Sequence, residues 1–403
     1  MISIRQPKLE KEKIRMTGVN MTFLIVVIFL LGIGIVMMFS ASYAIAINEG
    51  KAGSYYASRQ AMFGALGLVL MLIASKVDYH ILYNKLAAAG SYLASVVMLI
   101  LVPIIGTDLG TGCKRWLKLP GGFTFQPSEL AKFAIVVLFA YLIDTSFDKM
   151  QTFKYGIVRF MILLGVIAGL LMIQPHLSCT GLIAAMAFLL IFIGGAKMKY
   201  LFPAGVAGAL ALAAVVAFKV LTGEQTYFLK RLEPWFHPFE SDDAYQTQQS
   251  LIAIGSGGAF GLGLGESRQK YLYLPESEND FVFSILCEEL GFVGAVTVIL
   301  LFVLLVAQGF HTATHSKDRF GCLLAAGFTM QIGLQAFINI AVVSNLFPNT
   351  GISLPFFSYG GTALIMQLVE MGIVLNISRG RYVVSEEESE KKRRRRGRSD
   401  EKN

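Results

Sequence analysis

The chain has 403 residues, 55% of them hydrophobic and only 15% charged, with a mean hydropathy of +0.60, which is too apolar for a water-soluble globule. Several runs are long enough to cross a ~30 Å hydrocarbon core at ~1.5 Å per residue, so α-helices with internally satisfied backbones are expected; the lack of alternation excludes a β-barrel. The net charge of +8 is unevenly spread, and in a membrane protein that asymmetry reports orientation before it reports a ligand, so no nucleic-acid partner is expected.

Residues 1–19 carry Arg5, Lys8, Lys11, Lys13 and Arg15 ahead of the first apolar run, and no small-residue cleavage site follows. They read as a cytoplasmic tail before a retained span. Apolar runs then occur at 20–42, 59–76, 84–105, 128–146, 157–174, 178–195, 199–221, 281–309, 320–343 and 358–377. The fold class is therefore an all-α polytopic membrane protein of ten transmembrane helices, filling residues 20–380. An even number puts both termini on one side, and basic residues choose the cytoplasm: the N-terminal cluster, the pairs Lys76/Lys85, Lys149/Lys154, Lys197/Lys199 and Lys317/Arg319, and the run Lys391 to Arg396. Residues 381–403, a block of acids followed by a block of bases, read as a disordered cytoplasmic tail.

Two outer loops break the charge pattern. Residues 106–127 place Lys114, Arg115 and Lys118 on the outer side, where cations are disfavoured unless something anionic binds. Lys114 and Arg115 beside Trp116 fit either snorkelling cations next to an interfacial anchor or a site for a phosphate-bearing lipid headgroup. At the start of the fourth run, Pro127 and Glu129 are helix-start signals, and Glu129 and Lys132 share one helix face. They are either a capping ion pair or a pair lining a polar cavity. The large extracytoplasmic loop, residues 221–282 between helices 7 and 8, is too long for a turn, and its apolar piece 251–260 could lie in the interface or dip into it.

In that loop, Gly261, Gly263 and Gly265 resemble a nucleotide loop only superficially, because no strand precedes them and no Gly-Lys-Ser/Thr follows. They read as a close backbone turn. His311 and His315 lack a third ligand, and the four cysteines (Cys113, Cys179, Cys287, Cys322) have no metal or redox spacing, so no metal site and no disulfide framework are expected. Asp280 stands at the lip of the eighth span, with Glu276 and Glu278 before it and Glu288 and Glu289 two to three turns into the helix. It is either that helix's N-cap or an acid with a chemical task.

The blocks Phe125 to Lys132, Gln249 to Gly258, Gly265 to Pro275, Glu288 to Phe292 and Leu354 to Gly361 stand in order across nearly all of residues 20–380. Together they resemble the SEDS family (shape, elongation, division and sporulation). Gly265-Glu266-Ser267-Arg268-Gln269-Lys270-Tyr271-Leu272-Tyr273-Leu274-Pro275 is more similar to the division and sporulation branch (FtsW, SpoVE) than to the elongation branch (RodA). The resemblance implies ten helices with a large outer loop, and polymerisation of lipid II into glycan strands. It implies that Asp280 is the catalytic residue and that Arg115, Glu129 and Lys132 lie in a central cavity; Lys114 and Ser358 are counted with them as substrate-binding. It also implies a class B penicillin-binding protein and other divisome proteins as partners, in the bacterial cytoplasmic membrane at the septum. Two positions depart from the family pattern: His176 stands where an Asp is common, and Glu278-Asn279 where His-Thr is common.

Joining an α-linked donor in a β-1,4 bond is one inversion, hence one displacement. That step needs a base at the acceptor hydroxyl and charge stabilisation at the diphosphate. The reading assigns Asp280 as base and Arg115, with Lys114 and Lys132 or a divalent cation (Mg or Mn), as diphosphate holder; no organic cofactor is expected. Without an Asp-x-Asp motif, a metal has to be recruited by lipid phosphates and a single carboxylate. The alternatives left open are a lipid II flippase and a scaffold that recruits a transpeptidase.

Overall fold

Where apolar residues run on without a breaker, the chain forms helices whose backbone groups close on themselves, as a lipid solvent demands. The computed structural model describes residues 13–16, 18–108, 114–119, 123–174, 176–221, 234–240, 244–379 and 381–384. In chain order the helices are α1 (Met21–Asn48), α2 (Tyr55–Ala74), α3 (Lys85–Ile105), α4 (Pro127–Thr145), α5 (Arg159–Ile173, entered through a π-helical turn at Lys154–Val158), α6 (Leu177–Ile193), α7 (Met198–Leu221), α8 (Tyr245–Ser256), α9 (Val282–Thr314), α10 (Arg319–Val343) and α11 (Gly361–Ser378). Seven of them, α1, α2, α3, α5 with its lead-in, α9, α10 and α11, are long and apolar enough to cross a membrane. α4 carries Glu129, Lys132 and Asp144, and α6 has 17 residues. The chain is a mostly helical, multi-pass membrane protein.

Several helices overrun their apolar runs, because polar side chains continue or cap them. Asn20 caps α1 by accepting from the Phe23 N–H, and Asp318 caps α10 by accepting from Gly321 (2.7 Å). Of the seven apolar spans, α10 has the largest buried share, 72%; it packs against α4, α6, α8, α9 and α11, so its side chains meet most of the bundle. α2 lies along α11 at close range: a Cβ on Gly67 would sit 2.5 Å from Leu368, and one on Gly372 would sit 2.5 Å from the Met71 carbonyl.

α9 is two helical pieces joined at Gly291, whose φ of 66° and ψ of −167° are not helical. The break leaves backbone groups without intrahelical partners, and the segment after α8 takes them up. Leu262 and Gly263 N–H groups donate to the Glu288 and Glu289 carbonyls, while Phe292 and Val293 donate to the carbonyls of Gly258 and Ala259. At Gly261, φ is +81° and a Cβ would meet the Glu289 carbonyl at 2.0 Å. The glycine run is thus a close backbone turn, and the apolar piece 251–260 is packed on α9 and α10: Ser250 Oγ lies 2.7 Å from Ser284 Oγ and donates to the Val343 carbonyl.

Two short ribbons complete the described residues. β2 (Leu117–Leu119) pairs antiparallel with β3 (Phe123–Phe125), continued by a Thr107–Trp116 bridge. β1 (Lys13–Met16) pairs with β4 (Arg381–Val384), where the charge pattern announced only tails; Ile14, Tyr382, Val383 and Val384 are strand formers. The remaining tail residues 385–403, the N-terminal Arg5, Lys8 and Lys11, Cys113, Pro175, and residues 222–233 and 241–243 of the long loop lie outside the described residues.

Candidate active site

Asp280 sits in a tight turn that leads into α9. Glu276 adopts φ +57°, and its carbonyl accepts from the N–H groups of Asn279 (3.0 Å) and Phe281 (3.2 Å). The helix N-cap is Phe281, which makes no side-chain cap bond. Its backbone is clamped from behind. Asn339 Nδ2 donates to the Asp280 carbonyl (2.7 Å), Ser358 Oγ to the Asn279 carbonyl (2.6 Å), and the Tyr359 N–H to the Glu278 carbonyl (2.9 Å). The carboxylate of Asp280 is half-buried, while the clamping Asn339 and Ser358 are buried. Burial pushes the neighbouring Glu278 carboxyl up to about 7, and Glu276, Glu49 and Asp280 add to the shift. Glu278 therefore holds its proton far more readily than a free carboxylate, and repulsion against Asp280 is relieved.

Glu129 and Lys132 form a second cluster in the first turns of α4. Both are buried, with Lys132 Nζ 2.8 Å from Glu129 Oε2. Lys132 also donates to Gln335 Oε1 (3.0 Å), and Gln335 Nε2 donates to the Ser353 carbonyl (3.0 Å) and hydroxyl (3.2 Å). Of the two readings of Glu129 and Lys132, the ion pair is present, buried in the first turns of α4. Arg115, held at the Thr107–Trp116 bridge, reaches this cluster electrostatically. Burial pushes the His176 imidazole down to about 3, and the charges of Arg115 and Lys132 lower it further. His176 is consequently neutral. Lys114 is exposed, and its ammonium lies 3.4 Å from the Pro103 carbonyl at the end of α3.

One helix joins the two clusters. Gln335 holds Lys132, and Asn339, one turn further along the same face of α10, holds Asp280. They also grip adjacent residues of the segment before α11, since Asn339 Nδ2 donates to the Ile352 carbonyl (2.7 Å) and Gln335 to Ser353. The structure thus brings Glu129 and Lys132 together, and Ser358 together with the Asp280 turn. The sequence pattern of the family described as "Cell cycle protein", comprising FtsW, RodA and SpoVE, matches residues 21–383.

The chain belongs to the FtsW/RodA/SpoVE family.

Among relatives, it is 38% identical to a protein named "Probable peptidoglycan glycosyltransferase FtsW" of Geobacter sp. (strain M18), covering 90% of this chain and 98% of that one. It is 34% identical to Stage V sporulation protein E of Bacillus subtilis, with the same coverages. Among solved structures, a chain of a peptidoglycan synthase complex that coordinates polymerization and crosslinking superposes with a TM-score of 0.71 at 27% identity, over 90% of this chain and 98% of that one. Thermus thermophilus RodA, the rod shape determining protein, superposes with a TM-score of 0.64 at 27% identity, over 91% and 98%.

In this FtsW/RodA/SpoVE chain the acids after Asp280 secure the long loop. Glu288 accepts from Ser267 Oγ and from the N–H groups of Arg268 (3.0 Å) and Gln269 (3.3 Å). Glu289 accepts from Ser40 Oγ (2.5 Å), Lys270 Nζ (3.0 Å) and the Ser267 N–H (3.3 Å), and Lys270 also donates to the Gly265 carbonyl. Sequence reasoning noted the two glutamates without finding their partners, and it overlooked Gln335 and Asn339. The missed signal was available: Gln331, Gln335 and Asn339 recur at intervals of four in an apolar span, where each polar group needs a partner. Among the described residues no group of three or more His, Cys, Asp or Glu side chains is placed to hold a metal ion.

Proposed function

We propose that this chain polymerises lipid II into peptidoglycan strands, with inversion and release of undecaprenyl pyrophosphate. The observation that carries the reading is the clamped turn of Asp280, whose backbone is fixed by Asn339, Ser358 and Tyr359 at the start of α9. Asp280 takes the proton of the acceptor 4-hydroxyl as its oxygen bonds to the donor's anomeric carbon, and the diphosphate departs with the bonding electrons. Arg115, half-buried, is the cation that meets the diphosphate. Lys132 is held by Glu129 and Gln335, so its main contribution is a fixed positive potential. Neutral His176 adds no charge to that potential. A divalent cation at this site has to draw most of its ligands from the substrate's phosphates, and no step above is routed through it.

The same reading places ten spans across the bacterial cytoplasmic membrane, with both termini cytoplasmic, the 221–282 loop outside, and the protein at the division septum. Its partner is a class B penicillin-binding protein within the divisome; a similar chain in a complex that coordinates polymerization and crosslinking supports this. The test is lipid II polymerisation by purified protein supplied with its partner. D280N is expected to abolish strand growth while D280N protein stays folded; polymerisation at the parent rate overturns the assignment.

A further inference from the structure

The mechanism above leaves the buried acid Glu370 unused. Glu370 is fully buried in α11, nine residues from the start of that helix at Gly361, or roughly 13 Å along the axis and near the middle of a ~30 Å core. Its hydrogen-bond partner is Gln331, whose Nε2 donates to both carboxyl oxygens (3.0 and 2.8 Å). Gln331 Oε1 is buried with no donor. Gln331 lies one turn below Gln335 on α10, and the charges that act on Glu370 are Lys132 and Glu129 of α4. The buried residues that α2 turns inward are Ala57, Gln60, Gly64, Gly67 and Met71, and the inward residues of α1 include no titratable side chain. On α9, Glu288 and Glu289 are engaged with the long loop.

We propose that Glu370 carries a proton and is a positioning residue for the Lys132 cluster, donating its O–H to Gln331 Oε1. A modest rotation of the amide makes a cyclic pair in which each buried polar atom has a partner: the Glu370 hydroxyl donates to Oε1, and Nε2 donates to the other carboxyl oxygen. The charge balance points the same way. Glu129 and Lys132 neutralise each other; an ionised Glu370 leaves the buried group with a net negative charge beside the place where a diphosphate is to bind, at the depth where an unpaired carboxylate is least tolerated. A neutral Glu370 keeps the ammonium of Lys132 oriented toward Glu129 and Gln335.

The functional half of this inference rests on the reading of the site as a diphosphate-binding polymerase; the protonation itself does not. The protein with its partner, reconstituted in liposomes, is examined by infrared spectroscopy. The wild type is expected to show the C=O stretch of a protonated carboxyl group that E370Q removes, and a spectrum in which E370Q removes only a carboxylate band overturns the proposal whatever the protein does to lipid II. In the polymerisation assay E370A raises KM for lipid II about tenfold and E370Q restores it to within about twofold. An E370Q protein as impaired as E370A also overturns it.

Discussion

Asn339→Ala isolates the clamp on Asp280 from the chemistry of its carboxylate. Asn339 is 1% exposed and donates from one nitrogen to the carbonyls of Asp280 and Ile352, each at 2.7 Å. Each bond contributes about 1 kcal/mol net, and each buried carbonyl left unpaired costs about 1–3 kcal/mol, so loosening the Asp280 turn forfeits about 1.5–3 kcal/mol of positioning. At about 1.4 kcal/mol per factor of ten, turnover is expected to fall about 10- to 100-fold. Because the carboxylate stays and the cation cluster is held by Gln335 instead, the loss should appear in kcat with KM for lipid II little changed. The assay is steady-state polymerisation of labelled lipid II by the partner-bound protein, run beside thermal unfolding in the same detergent. A variant that unfolds earlier yet turns over at the parental kcat refutes the idea that this hydrogen bond places the base.

The other expectations concern charge. Lys132→Met leaves Glu129 as an uncompensated buried carboxylate, which costs about 3–5 kcal/mol; the double variant K132M/E129Q should recover most of the thermal stability but not polymerisation, and recovery of both shows the pair to be structural only. Glu278 is raised from 4.5 to about 7 in the fold, so its contribution is fully present below its unfolded value and is lost as pH climbs through about 7. E278Q is therefore expected to match the wild type near pH 4.5 and to exceed it by about 2 kcal/mol near pH 8.5, allowing for partial exposure. Equal pH-dependence of unfolding in the two proteins contradicts the assigned burial of Glu278.

How much of this the sequence discloses depends on whether the relevant contact is local. The helix start at Pro127, the shared face of Glu129 and Lys132, and the exceptional place of Asp280 are matters of spacing within a few residues, and they are readable. What reaches across the chain is not. Lys270 finds Glu289 and Ser40, 230 residues away from it, and Asn339 finds Asp280 across 59 positions; no periodicity encodes such pairs. Composition did mark one side of each, since a buried amide in an apolar span requires a partner. The break in α9 is a further case: Glu288 to Phe292 reads as an uninterrupted helix, and only the positive φ of Gly291, with a Cβ there meeting the Gly261 nitrogen at 2.2 Å, shows why position 291 must be glycine.

That break decides how Asp280 is held. Residues 282–290 form a short helical piece separated by Gly291 from the long remainder of α9, so the rigidity of the span does not extend to Asp280. Its place is fixed by polar ties on two sides: Glu288 and Glu289 bind the loop 267–270 in front, and Asn339 and Ser358 hold the turn behind. Polar ties inside an apolar bundle are costly to leave unmade, so they specify position sharply where packing alone permits sliding. The same helix face that supplies Asn339 supplies Gln335 to Lys132, so Asp280 and the Lys132 cluster share one rigid ruler, α10. A displacement of α10 along its axis therefore moves both clusters together, whereas a disturbance of the α9 break shifts Asp280 alone.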